Sequence, residues 1–284
     1  MLKIVECPRD AMQGITHAIP TELKIAYENA LLKVGFDTLD FGSFVSPKAI
    51  PQMADTAAVL AGLDLDHTDT KLSAIVANKR GADTACTFPE ISYLGYPFSL
   101  SETFQLRNTR KDMETSFDLV KEVQELCVTH DKQLLLYFSM AFGNPYGDPW
   151  HAELVESWTD KMVAEGINLI ALADTVGSAD EESISSIFTT LLPRFPEVEI
   201  GAHFHAHPDD RITKLQAAWD AGCRRFDVAL QGYGGCPFAK DDLVGNISTE
   251  SLLTFANQQQ EPLSLDLDAL AEAQALAPSI FLHQ

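Results

Sequence analysis

The residues best suited to chemistry in this 284-residue chain lie in a few short stretches. His203 and His205 form a His-x-His pair, and on a strand the two-residue period would point both imidazoles to one face. Two imidazoles with one carboxylate suit a divalent cation that keeps positions open for water and substrate. Asp10 is the natural carboxylate, provided its strand closes a barrel near the strand that carries the histidines. Mixed oxygen and nitrogen donors without a thiolate favour Mg²⁺ or Mn²⁺ and still admit Zn²⁺ or Fe²⁺. His207 shares the histidine face, but Pro208 follows it, and it reads as the start of a helix. Arg9 adjoins Asp10, so both reach one side only if the backbone turns at Pro8. A guanidinium there could neutralise charge developing on an oxygen, or could simply form a structural salt bridge. Asp40, with Ser43 just after it, and Asp174-Thr175 end two further apolar runs. The stretch 231–246 is glycine-rich around Cys236 and carries Lys240, Asp241, Asp242 and Asn246. A thiol on such a loop beside a cation could transfer protons, or the stretch could be a plain turn with an incidental cysteine.

Something must hold these groups together. Apolar runs at 2–7, 36–41, 71–77, 84–88, 133–140, 168–174, 199–205 and 224–230 are mostly continuous, as expected of parallel strands covered by helices. Helical patterns lie between them, among them 21–34, 148–165 (ending before Gly166), 180–192 (stopping at Pro193) and 208–221 (ending before Gly222). Eight strands alternating with helices predict an α/β fold, a (β/α)₈ TIM barrel with a short C-terminal extension. The chain reads as one catalytic domain over 1–284, with the barrel at about 2–260 and the helical extension at about 261–284. The third and fourth runs are close together, which predicts one degenerate βα unit. No glycine-rich phosphate fingerprint follows the first strand, which argues against a Rossmann reading. In a TIM barrel the C-terminal ends of the strands face the active site. Arg9-Asp10, Asp40, Asp174, the histidine pair and the glycine-rich loop all fall at that end, and this convergence points to an enzyme.

With 20 Lys+Arg against 41 Asp+Glu, the formal charge is −21. So acidic a surface excludes general nucleic-acid or anionic-membrane binding. No apolar run approaches the ~18 residues of a membrane span, and a cytoplasmic protein is expected. The five cysteines form no CxxC pair, so neither a disulfide framework nor a zinc knuckle is predicted. Cys86, Cys127 and Cys223 read as core filler. A homodimer through the outer helices is expected.

Several stretches occur in an order and spacing that resemble the 3-hydroxy-3-methylglutaryl-CoA lyases of the DRE-TIM metallolyase superfamily. They are Cys7-Pro8-Arg9-Asp10-Ala11-Met12-Gln13, Ser43-Phe44-Val45-Ser46-Pro47-Lys48 with Pro51-Gln52-Met53, Ala173-Asp174-Thr175-Val176-Gly177, the histidine pair, and Gly234-Gly235-Cys236-Pro237-Phe238-Ala239. The resemblance covers about residues 2–260. It implies a divalent-metal lyase that cleaves an acyl-CoA, 3-hydroxy-3-methylglutaryl-CoA, to acetyl-CoA and acetoacetate. By the same resemblance Asp10, His203, His205 and Asn246 would be metal ligands, and Arg9 would stabilise the thioester enolate. His203 would also lie near enough to the substrate to help proton transfer, and Cys236 would be the acid/base thiol of a mobile loop. Asp40 and Asp174 join the catalytic set, and Lys48, with Arg107, Arg110 and Lys111, is a candidate to meet the charge of CoA. The sequence departs from the family at Asp40, where Glu is usual, at Ala11 for Gly, at Asn144 for Cys, and in a longer final loop before Asn246. The Arg-Asp and His-x-His core also suits an enzyme condensing acetyl-CoA with a 2-oxo acid, which usually has further domains, or a barrel that keeps its metal without turnover.

Overall fold

The computed structural model describes residues 1–234 and 244–282. Eight parallel strands close a barrel in sequence order. They are β1 (Lys3–Glu6), β2 (Thr38–Ser43), β3 (Lys71–Ile75), β4 (Ile91–Ser99), β5 (Gln133–Ser139), β6 (Leu169–Asp174), β7 (Glu199–Phe204) and β8 (Arg225–Val228). Closure is by β1 against β8, in register from Lys3 opposite Arg225 to Glu6 opposite Val228. Helices α1 (Pro8–Gln13) and α2 (Thr21–Val34) follow β1, α3 (Thr56–Ala61) follows β2, and α4 (Lys79–Cys86) follows β3. Then come α5 (Glu102–Thr109) and α6 (Met113–Thr129), α7 (Ala152–Ala164), α8 (Glu181–Arg194), α9 (Arg211–Asp220), α10 (Thr249–Gln258) and α11 (Leu267–Phe281). Among the described residues no helix is long and apolar enough to cross a membrane.

Local chemistry sets several of these boundaries. Helix α2 ends at Gly35, whose φ of 85° suits a residue without a Cβ. Helix α8 opens on a capping box, Asp180 and Ser183 satisfying each other's amides, and runs one residue past Pro193 instead of stopping there. The stretch 208–210 is a turn, so α9 begins only at Arg211 and the exposed His207 precedes it.

One strand assignment is corrected. Residues 84–88 are not the fourth strand. Thr84–Cys86 closes α4, which Asn78 caps by accepting the Gly81 amide at 2.9 Å, with Ala82, Ala85 and Cys86 buried at helical spacing. The fourth strand is the aromatic run Ile91–Ser99, which pairs with β5 along its length despite Pro97. The unit between the third and fourth strands is therefore not degenerate, since α4 separates them.

Two apolar layers result. Side chains of alternate residues pack between strands and helices, for example Ile170 and Leu172 of β6, while Leu169 and Ala171 join Tyr93, Leu135 and Tyr137 in a smaller cluster. The two-residue period thus divides each strand between the helix layer and the barrel interior.

Candidate active site

At β1 the predicted turn is real: the strand ends at Glu6 and α1 starts at Pro8, whose ring suits the first position of a helix. Arg9 and Asp10 both enter the mouth of the barrel from this first helical turn, together with Gln13. Arg9 is buried between two carboxylates. Its Nε reaches Asp40 Oδ2 at 3.0 Å, one terminal nitrogen reaches the same oxygen at 2.5 Å, and the other meets Asp10 Oδ1 at 3.1 Å. Gln13 donates to Asp10 Oδ1 at 2.8 Å.

His203 and His205 share the inward phase of β7, with the imidazoles 5.2 Å apart between centroids. Ligand atoms of Asp10, His203 and His205 lie within 4.8 Å of one another. Each histidine is oriented from behind. His203 Nδ1 is 3.1 Å from Asp227 Oδ2, and His205 Nδ1 is 3.0 Å from the Thr175 carbonyl oxygen. These acceptors place the ring proton on Nδ1 and leave Nε2 as the free lone pair, as in a metal-binding histidine held by an outer partner. His205 Nε2 is buried and has no partner, an orphan atom of the kind a cation would satisfy. The donor set fits a divalent cation.

Asn246 is brought to the same place. The segment after the glycine-rich stretch pairs antiparallel with the end of β7, with a bridge between His205 and Asn246 and an Ala206 amide bonded to the Gly245 carbonyl at 3.0 Å. The Asn246 side-chain amide donates to Asp10 Oδ2 at 2.8 Å and to the Tyr233 carbonyl at 2.9 Å.

The electrostatics are those of a desolvated cluster. Burial pushes the Asp10 carboxyl up, but Arg9, the two histidines and the Asn246 hydrogen bond outweigh it and hold it down at about 2. Burial raises Asp40 to about 6 against the pull of the Arg9 guanidinium it binds. Burial lowers His203, yet its bond to Asp227 and the charges of Asp227 and Asp10 raise it overall, whereas burial and the neighbouring His203 lower His205.

Beside the cluster opens a cavity of about 190 Å³ whose far wall is apolar, with Val45, Ile50, Ile75, Ala77, Pro97 and Phe104. The segment of β2 and the loop after it, identified above from Ser43 to Lys48, supplies part of that wall. Lys48 itself is exposed, next to Ala49 and Ile50, which do line the cavity. Arg107 lies over the Tyr146 ring at 4.5 Å, and its neighbours Asn108 and Thr109 reach the cavity.

Asp174 departs from its predicted place. It shares the phase of Ile170 and Leu172, so its carboxylate enters the helix layer, where Oδ2 accepts from Lys214 Nζ at 2.6 Å. The same buried ammonium bonds the Gly177 and His205 carbonyls, each at 3.0 Å. Asp174 is therefore a structural anchor for two loops, and Ala173 and Thr175 are the members of that motif that reach the cavity. Cys236, with Lys240, Asp241 and Asp242, lies outside the described residues.

Two functional positions escaped the sequence reading. Asp227 sits opposite His203 in the β7–β8 register and is the outer partner of that ring. A lone acid between Phe226 and Val228, on the inward phase of a strand, was the available signal. Tyr137 lines the cavity edge-on to His203, 5.6 Å between centroids, and nothing in its run of apolar neighbours marked it.

A closed parallel barrel with a buried carboxylate and two oriented histidines at its C-terminal mouth defines a TIM barrel with a candidate cation site. The sequence matches the HMGL-like family over residues 2–277, and the chain belongs to that family of divalent-metal-dependent lyases. It is 30% identical over 274 residues to the hydroxymethylglutaryl-CoA lyase YngG of Bacillus subtilis, covering 94% of this chain and 88% of the relative. It is also 29% identical over 278 residues to an (R)-citramalyl-CoA lyase of Chloroflexus aurantiacus, covering 94% and 86%. Among solved structures, an HMG-CoA lyase from Acinetobacter baumannii in complex with coenzyme A and 3-methylmalate superposes with a TM-score of 0.92. That structure is 34% identical, with 100% of this chain and 92% of that one covered.

Proposed function

We propose that the chain cleaves 3-hydroxy-3-methylglutaryl-CoA to acetyl-CoA and acetoacetate, with Mg²⁺ or Mn²⁺ held by Asp10, His203, His205 and Asn246. The observation that carries this reading is the buried Asp10–His203–His205 cluster, with both Nδ1 atoms bonded from behind and His205 Nε2 left without a partner. A cation bound there supplies Lewis acidity that lowers the pKa of the substrate's tertiary hydroxyl. Loss of that proton lets the C2–C3 bond break. C3 becomes the ketone carbon of acetoacetate, and the electron pair passes to the thioester enolate of acetyl-CoA. Arg9, held by Asp40 and Asp10, presents a fixed guanidinium to that developing charge without reorganising. By the family resemblance the proton steps, including protonation of C2, fall to Cys236, with His203 close enough to the substrate to assist. Lys48 with Arg107, Arg110 and Lys111 offers positive charge to the phosphates of CoA, on a protein whose net charge of −21 otherwise repels them.

The test strips the purified protein with chelator and restores Mg²⁺ or Mn²⁺. Acetoacetate release is then followed from 3-hydroxy-3-methylglutaryl-CoA, with citramalyl-CoA as the competing substrate. Metal-dependent acetoacetate formation, with the higher kcat/KM on the first ester, supports the assignment. Turnover of citramalyl-CoA alone would move the substrate while leaving the site chemistry in place.

A further inference from the structure

Helix α11 lies outside the eight βα units, yet it reaches the turn that follows β8, directly through Phe281 and through Glu250 of α10 by way of Gln274. Gln274 Nε2 donates to Glu250 Oε1 at 2.9 Å, and Glu250 Oε2 accepts the Gln231 amide, also at 2.9 Å. Phe281, the last residue of α11, stacks on Tyr233 with centroids 4.2 Å apart and planes at 13°. Tyr27 of α2 meets the same Phe281 ring edge-on at 5.9 Å, so the stack is held on a second side.

From Tyr233 the connection to the cation cluster is direct. The Tyr233 carbonyl accepts one N–H of the Asn246 amide at 2.9 Å, and Asp10 Oδ2 accepts from the same nitrogen at 2.8 Å. With both N–H groups engaged, the orientation of the carboxamide is set and its oxygen is the atom left for another partner. The next residue, Gly234, has a φ of 96°, and a Cβ there would lie 2.7 Å from the Asn246 nitrogen and 2.8 Å from Ala11 Cα. The backbone at 233–234 thus passes as close to α1 and Asn246 as a chain can, and small displacements of Tyr233 are transmitted to the amide.

We propose that α11 is a clamp on the cation site, with Phe281 and Tyr233 as positioning residues that hold the Asn246 carboxamide against Asp10. The proposal rests on the reading that this cluster takes a divalent cation. It gives the C-terminal helix a part in the chemistry, although none of its residues touches the site.

The probe is Mn²⁺ alone, its free concentration read by electron paramagnetic resonance on the full chain. A stacked aromatic pair of this geometry is worth enough to predict that Phe281→Ala weakens Mn²⁺ binding by about 3–10-fold. Phe281→Tyr should restore it to within about twofold of the wild type. Glu272→Ala, which removes the exposed ion pair of α11 with Lys33 at 3.3 Å, should leave the Kd unchanged. Gln274→Met tests the other strut and keeps the idea falsifiable should Phe281→Ala fail to fold; it should raise the Kd with circular dichroism unaltered. Equal Kd values for Phe281→Ala, Gln274→Met and Glu272→Ala would overturn the clamp while leaving the cation reading intact. A wild-type chain that binds no Mn²⁺ would overturn both.

Discussion

Asp227 offers a sharp test because it touches neither substrate nor cavity and should still govern the cluster. Its Oδ2 accepts from His203 Nδ1 at 3.1 Å, and the carboxylate is wholly buried. Asp227→Asn preserves shape but removes the charge. A hydrogen bond to a charged group contributes about 1.5–3 kcal/mol and a neutral one about 0.5–1.5, so the exchange costs His203 about 1–1.5 kcal/mol of support. That corresponds to a loss of about 5–13-fold in affinity, near the lower end of the about 10–100-fold typical for partners behind metal-binding histidines. The variant also places an NH₂ where Asp227 Oδ1 now has no partner, which adds to the cost. The assay is isothermal titration of chelator-stripped protein with Mn²⁺ at neutral pH, with Asp227→Ala as the more severe case. Expected is about a tenfold weaker Kd for Asn and a larger loss for Ala, with near-native circular dichroism. Unchanged affinity in both variants would refute the idea that Asp227 orients His203 for a cation.

Three further outcomes follow from the same geometry. Lys214→Met leaves the Asp174 carboxylate buried and unpaired, so stability should fall by about 3–5 kcal/mol in urea unfolding, whereas Asp174→Asn should cost less and leave the Mn²⁺ affinity near the wild-type value. Arg9→Met should lower kcat by at least about a hundredfold, because a preorganised charge at the enolate is lost; retention of more than a tenth of wild-type kcat would remove Arg9 from the mechanism. Burial raises Glu6 from its ordinary 4.5 to about 8, against its hydrogen bonds from Thr249 and Leu230. The folded state therefore holds that proton more tightly than the unfolded chain, and the associated stability is full below about pH 4.5 and is lost as pH rises through about 8. Glu6→Gln should accordingly gain in Tm over the wild type as pH rises from 5 to 8.5, by about a few degrees, and parallel Tm curves would contradict the assignment.

Much of this architecture was legible because parallel strands buried on both faces leave continuous apolar runs, and because polar residues at their C-terminal ends stand out. The His203/His205 pair and the turn at Pro8-Arg9-Asp10 were readable for that reason. The fourth strand was not, since the small apolar residues of α4 imitate a strand while Pro97 disguises one. Asp174 was misplaced by attending to its position along β6 and not its phase: it alternates with Ala173 and so faces Lys214. Asp227 passed unremarked inside an apolar run, although its inward phase equals that of the residues lining the barrel. Asn246 could be placed only in three dimensions, where an antiparallel bridge sets it beside His205.

The most direct test of the central claim is a Mn²⁺ titration of acetoacetate release from 3-hydroxy-3-methylglutaryl-CoA, run on stripped wild-type protein and on His205→Ala. The account predicts saturable activation of the wild type, and in the variant a loss of both Mn²⁺ binding and turnover with the barrel intact. Full turnover in metal-free wild type, or undiminished Mn²⁺ activation of His205→Ala, would contradict it.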